Sequence, residues 1–221
     1  MARRIIGGAF VSLDGVMQAP GGPEEDPTGG FPYGGWLTGL FDEALGNQVD
    51  SLFRPPFGLL LGRRTYDIFA AHWPFQPVDD PIAAAFARCS KYVLTRSDAP
   101  LAWQGSQRLA DMDALAALKQ EDGPDLVIQG SSTLYPPLLE RGLLDRLVVM
   151  TAPVVLGTGK RLFGDGVPAG RFALVEHRLS LGGIAMATWE PAGAVEPGSF
   201  AMTEPSAPEL ARRDAIAAGS W

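Results

Sequence analysis

The chain has 221 residues, 46% hydrophobic and 19% charged, which is enough apolar content for one large core and excludes a disordered or fibrous chain. Its net charge of −7 supplies no cationic field for a phosphate backbone, so nucleic acid is not expected as a partner. The single cysteine, Cys89, cannot close an internal disulfide, and with only His72 and His177 beside it no zinc-site spacing exists.

In chain order, the apolar start of the chain is too short for a membrane span, runs into Asp14 and lacks a signal-peptidase pattern; it reads as a first buried strand over Arg4 to Val11. Met17 to Gly35 is crowded with Gly and Pro, which predicts a long irregular loop, a lid over a site. Trp36, Leu37, Leu40, Phe41, Ala44, Leu45 and Val49 step by three and four and predict one helix. Apolar, β-rich runs at Phe57 to Leu61, Tyr92 to Thr95, Leu126 to Gln129, Leu147 to Thr151, Phe172 to Arg178 and Ile184 to Trp189 predict six further strands. Short helices are expected at Ile82 to Phe86, Met112 to Leu118 and Leu138 to Leu143.

Near-continuous apolar strands alternating with helices imply an α/β fold, a mixed, mostly parallel central sheet flanked by helices. The last two strands are joined only by Ser180-Leu-Gly-Gly183 and should form an antiparallel C-terminal hairpin. A domain over 1–190 is therefore expected, followed by an extension over 191–221 in which Ser206-Ala-Pro-Glu209 caps a short helix. No run approaches the ~18 apolar residues of a membrane helix, so the protein is expected to be soluble and cytoplasmic, with no membrane partner.

Three strand ends carry groups suited to a dinucleotide. After Leu59-Leu-Leu, the run Gly62-Arg63-Arg64-Thr65-Tyr66 joins backbone amides, fixed positive charge and a capping threonine at a helix start, a phosphate seat. Leu126-Val-Ile-Gln is followed by Gly130-Ser131-Ser132-Thr133, where a glycine permits close approach and hydroxyls suit a pyrophosphate. Thr95-Arg96-Ser97 offers a guanidinium for a ribose 2′-phosphate and so favours NADPH. Ligands of parallel sheets lie beyond the carboxyl ends of the strands, where all three groups fall.

These motifs, with Val-Ser12-Leu-Asp14-Gly15, Gly142-Leu-Leu-Asp145 and Ala152-Pro-Val-Val-Leu-Gly157-Thr-Gly159-Lys160-Arg161-Leu162-Phe163, resemble the dihydrofolate reductase-like superfamily. The nearer likeness is to the reductase domain of the bacterial bifunctional riboflavin-biosynthesis deaminase–reductase, over about Met1 to Glu190. The resemblance implies NADPH, hydride transfer to a small-molecule substrate and a homodimer. Gly62, Arg63, Arg64 and Thr65 match the family's phosphate turn, Thr95 and Arg96 its adenosine-phosphate strand end, and Gly130, Ser131 and Ser132 its pyrophosphate turn, with Gly-Ser-Ser where a glycine pair is common. The His/Cys zinc pattern of the deaminase half is missing from this sequence.

Two carboxylates are candidates for the acid of such a reaction. Asp14 follows the first strand, and Asp42 lies near the place where folate-reducing relatives carry an acidic substrate anchor. Each also has a structural reading: Asp14 as a turn aspartate beside Gly15, Asp42 as a group compensating a helix dipole. Trp36, Trp73 and Phe75 read as packing aromatics, and the two histidines as locally satisfied. Two readings rival the reductase. One is a protein that binds NADPH or another small ligand without catalysis. The other is a serine hydrolase with Ser132 on an elbow and Asp165 and His177 following in chain order; Leu134 breaks that motif.

Overall fold

The computed structural model describes residues 2–77, 79–201 and 203–220. Its strands are β1 (Ile5–Val11), β2 (Phe57–Gly62), β3 (Lys91–Leu94), β4 (Ser106–Leu109), β5 (Asp125–Gln129), β6 (Arg146–Thr151), β7 (Phe172–Leu179) and β8 (Ala185–Pro191). The helices are α1 (Glu43–Phe53), α2 (Arg63–His72), α3 (Pro81–Arg88), α4 (Met112–Gln120), α5 (Tyr135–Glu140) and α6 (Ala207–Ala217). All eight strands join one sheet, in the order β4-β3-β2-β5-β1-β6-β8-β7. The six from β4 to β6 are parallel, and β8 and β7 close the far edge antiparallel, as the alternation of strands and helices predicts.

The two cores follow from strand alternation. On β2 every residue is buried. Leu59 and Leu61 point to one face, with Leu45 and Leu52 of α1, Phe69 of α2 and Phe86 of α3. Leu60 points to the other, with Leu115 and Leu118 of α4 and Tyr135 and Leu138 of α5. Each leucine so buried contributes ~1.5–3 kcal/mol, which is why an unbroken Leu-Leu-Leu run occupies a strand covered on both faces. The adjacent Gly7 and Gly8 of β1 follow the same logic. A Cβ on Gly7 would stand 2.7 Å from the Tyr135 ring, and one on Gly8 2.9 Å from Leu52 and 3.1 Å from Gln129.

Three elements differ from expectation. The helix predicted from Trp36 starts instead at Glu43: Gly34, Gly35 and Gly39 interrupt the periodicity, Gly35 has φ +84°, and Asp42 caps α1 by accepting the Leu45 amide at 3.0 Å. Trp36 and Leu40 still pack on the core from the preceding turns. The edge strand β4 was not expected, because Ser-Gln-Arg-Leu buries only Leu109 and carries no apolar alternation. The helix expected at Leu138 to Leu143 ends at Glu140 and begins at Tyr135, with Pro136 and Pro137 in its first turn, where a missing amide costs nothing.

Beyond β8, Ser206 accepts the Glu209 amide at 3.4 Å and starts α6, which buries no residue. Among the described residues, no helix is long and apolar enough to cross a membrane, and no His, Cys, Asp or Glu cluster is suited to a metal.

Candidate active site

The order β2-β5-β1 brings three strand ends together. A cleft opens there on the face covered by α1 and α2, walled by Phe10, Met17 to Pro20, Glu25 and Asp26, the first two turns of α2, Gln129 to Thr133, and Lys160. An outer part continues along Pro27, Thr28, Arg63 and Asp67.

The two turns expected to seat phosphates are stitched to each other. Gly130 (φ +74°) and Ser131 (φ +53°) are left-handed, which turns the chain back toward α2. Thr65 Oγ1 accepts the Ser131 amide at 3.1 Å, and Ser131 Oγ accepts the buried Gly62 amide at 3.0 Å. A Cβ on Gly130 would meet Thr65 Cγ2 at 3.1 Å, so the turn is drawn tight against the helix. Thr65 is thus not the cap expected from the sequence. The N-cap is Gly62, which has no side chain to offer, and the orphan first-turn amides of α2 stay available to an anion.

The paired arginines have different occupations. Arg63 Nε meets both Asp67 oxygens at 2.9 Å and its Nη1 donates to the Ala99 carbonyl at 3.0 Å; the Asp67 hydrogen bond raises its pKa. Arg64 is exposed, lines both parts of the cleft and has no hydrogen bond or ion pair among the described residues. Thr95 and Arg96 follow β3, whose Leu94 is in register with Gly62, but lie outside the cleft lining. Thr95 is buried, with Oγ1 accepting the Ser97 amide at 3.1 Å. Ser132 lies in the cleft wall at the start of a short 3-10 turn.

Neither proposed acid reaches the cleft. The Asp14 carboxylate accepts the Ser12 hydroxyl at 2.6 Å and the Leu156 and Gly157 amides at 3.0 and 2.9 Å. The Ser12 bond first, then these amides, hold its pKa far below the carboxylate range. It pins the turn after β1 to residues 156–157 and has no proton to give. Asp42 accepts the Leu45 and Gly182 amides, at 3.0 and 3.1 Å, which lower its pKa. It is a cap and a tie to the β7–β8 turn. The structure thus places Asp14 and Asp42, the two expected acids, outside the cleft lining, and in both, hydrogen bonds to backbone amides favour the ionised form.

The carboxyl groups of the inner cleft are Glu25 and Asp26, which the sequence did not single out. Burial raises the pKa of Glu25, opposed by the Gly21 and Gly22 amides; Gly21 donates to Oε2 at 2.7 Å. Burial also works against ionised Asp26, yet hydrogen bonds from Lys160 and Thr28 prevail and lower its pKa. Lys160 forms an ion pair with Asp26 and donates to Thr28 Oγ1 at 2.6 Å. Gln18, almost fully buried, completes the tie. Its Nε2 donates to the Asp26 and Thr28 carbonyls at 2.8 and 2.9 Å, and its Oε1 accepts the Lys160 amide at 3.0 Å. The Met17 to Gly35 segment is irregular as expected and forms one wall of the cleft, but it is a wall bolted down rather than a loose flap.

The hydrolase arrangement is excluded by topology. His177 lies on β7, separated from β5 and its turn by β1, β6 and β8, so it cannot serve Ser132.

Comparisons with known proteins agree with this fold. The chain is 27% identical over 173 residues to the uncharacterized protein YyaP of Bacillus subtilis, covering 74% of this chain and 81% of that one. A protein of Shewanella sp. PV-4 assigned to riboflavin biosynthesis superposes with a TM-score of 0.64 at 22% identity, over 87% of this chain and 99% of that one. The dihydrofolate reductase of Enterococcus faecalis, solved with NADP(H), superposes with a TM-score of 0.53 at 15% identity, over 86% and 99%. A family model, the RibD C-terminal domain, matches residues 3–185. With that match over most of its length and a dihydrofolate reductase-like sheet beneath it, the chain belongs to the RibD C-terminal (reductase) domain family.

Proposed function

We propose that this chain is an NADPH-dependent reductase acting on a small heterocyclic or imine-like substrate of pterin, folate or pyrimidine type. The observation that carries the reading is the interlock of Gly62, Thr65 and Ser131. It fixes two turns as one cradle, with uncapped helix amides inside it and the uncommitted Arg64 at its mouth.

The residues fit the cofactor. The first-turn amides of α2 and the Gly130 to Ser132 turn would hold the pyrophosphate, and Arg64 would pair with the 2′-phosphate. When bound, NADPH supplies the hydride. The chain's own contribution is positioning and exclusion of water. Phe10, Met17 and Ala19 form an apolar wall, and the Gln18, Asp26, Thr28 and Lys160 network holds that wall in place before any ligand arrives. Glu25 retains a proton at a higher pH than an exposed glutamate, so it is the carboxyl in the cleft able to donate one.

A second reading, a binding protein without turnover, is favoured by the structural occupation of Asp14 and Asp42. The two separate experimentally. Protein loaded with NADPH and offered dihydropterin, dihydrofolate and aminopyrimidine substrates should consume the cofactor with at least one of them, and Glu25→Gln should slow this without weakening NADPH. Tight NADPH binding with no consumption by any of the three would establish the binding protein instead.

A further inference from the structure

The two edges of the sheet are built differently. At one edge, β4 is four residues long and polar, with Arg108 held by Asp98 and the Ala99 carbonyl, the kind of strand that does not invite pairing. At the other, β7 runs for eight residues, and every one after Phe172 is exposed. Residues paired across an antiparallel ladder share a face, so Leu174 lies beside Trp189 and Leu179 beside Ala185. On that face α4 and α5 bury Leu60, Leu126 and Ile128 of the central strands. Their cover stops short of the edge, where Leu174 is 49% and Leu179 73% exposed. An open apolar edge strand of this length is a site of association unless something covers it.

The chain also carries an element without a seat. The C-terminal extension leaves β8 along this same edge, where the Arg171 amide donates to the Gly193 carbonyl at 2.9 Å and the Ala192 amide to the Arg171 carbonyl at 2.7 Å. It lies outside the matched family domain, and none of its described residues is buried. An 11-residue helix such as α6 is marginal in water without a packed face, yet Leu210 and Ile216 are exposed on it, and Phe200 ahead of it is fully so. Pro197 and Pro205 stiffen the connection and oppose its folding back on its own chain. Charge selects the occupant. On β7, Glu176 pairs with Arg178; on α6, Glu209 and Asp214 balance Arg212 and Arg213, both of which bond Glu209. The net −7 of the chain therefore lies elsewhere. Two copies can meet here without like-charge repulsion, and the balanced surface has no net charge with which to recruit an acidic or basic partner.

We propose that the open face of β7 is covered by a second copy of this chain, each copy laying its 191–221 extension across the edge strand of the other. The exchange is two-fold symmetric, so one set of contacts closes both edge strands and seats both helices. It involves neither the cleft nor the cofactor and is independent of the reductase reading.

The test is sedimentation velocity of the full chain at neutral pH across micromolar concentrations, joined to photo-cross-linking. The wild type should sediment at twice the mass of one chain. Leu174→Glu combined with Leu179→Glu changes only exposed side chains; it should raise the dimer dissociation constant at least about a hundredfold and leave far-ultraviolet circular dichroism unchanged. Leu210→Glu combined with Ile216→Glu should weaken the dimer from the other side of the same contact. Phe200→benzoylphenylalanine then locates the extension: irradiation should yield a two-chain product whose link maps to Phe172–Leu179. A wild type that sediments as a single chain would overturn the proposal. So would a dimer whose dissociation constant either leucine-containing pair of substitutions leaves within about twofold, or irradiation that links position 200 only within its own chain or nowhere on β7. The wild-type mass and the cross-link map stand even where a glutamate variant fails to fold.

Discussion

Thr65 and Ser131 are 66 positions apart in sequence, yet the threonine hydroxyl oxygen accepts the serine amide at 3.1 Å while the serine hydroxyl oxygen accepts the Gly62 amide at 3.0 Å. Each of these two turns is completed by the other. Thr65→Val keeps the shape and removes the acceptor, leaving the Ser131 amide unpaired at a cost of about 1–3 kcal/mol. Urea unfolding should show this loss, and NADPH titration should show weakened binding in the same variant, with Thr65→Ser restoring both. A Thr65→Val protein with wild-type stability and affinity would mean that the interlock matters to neither.

The neighbouring arginines should separate cleanly. Arg64→Ala should weaken NADPH by about tenfold or more and NADH little, since a charge-assisted bond to the 2′-phosphate is the difference. Arg63→Ala removes an exposed pair with Asp67 and should change both affinities similarly and slightly. Parallel fluorescence titrations of both variants with both cofactors give the answer; an NADPH-selective loss in Arg63→Ala would reverse the assignment.

Much of the fold was legible because apolar runs report burial directly. Leu59-Leu-Leu61 and Leu126-Val-Ile128 are buried strands, and the turns after them are where the phosphate residues were sought. The polar edge strand Ser106–Leu109 left no such trace. The start of α1 was misread because Trp36, Leu37 and Leu40 have helical spacing but pack on the core from turns, Leu37 buried and the other two partly so. The surroundings of the two expected acids were not legible for a related reason. A carboxylate's role depends on what the fold brings to it, and Asp14 meets amides 142 and 143 positions away. Gln18, Asp26 and Lys160 act together only after residues more than 130 positions apart meet. Gln129 did leave a signal, a polar residue directly after the apolar run Leu126-Val-Ile128.

Asp14 predicts an acid-dependent stability. Its folded pKa lies below the ordinary value of 3.8, so in this range the unfolded chain binds more protons than the native one. Its contribution is complete above about pH 5 and fades as the pH falls toward the lower native value. Asp14→Asn should lower the thermal midpoint at neutral pH and reduce its steepness of decline in acid, with cofactor affinity largely retained. A variant that kept its stability but lost turnover would return Asp14 to a catalytic role.

The wall formed by the Met17 to Gly35 segment depends on Lys160. Lys160→Met leaves the buried Asp26 carboxylate without its cation, which should cost about 1–3 kcal/mol and open the segment to limited proteolysis near Gly21 and Gly22. Peptide mapping of the first cleavage locates the effect. Unchanged protease resistance would show that Gln18 alone holds the wall.

The central claim is that one cradle, built from the start of α2 and the turn after β5, grips the diphosphate of NADPH. A crystal structure of the chain with NADP+ tests it most directly. The account predicts pyrophosphate oxygens within hydrogen-bonding distance of the first-turn amides of α2 and of the Gly130 to Ser132 turn, with the 2′-phosphate against Arg64. A bound NADP+ whose diphosphate lies elsewhere, with these amides still facing solvent, would contradict it.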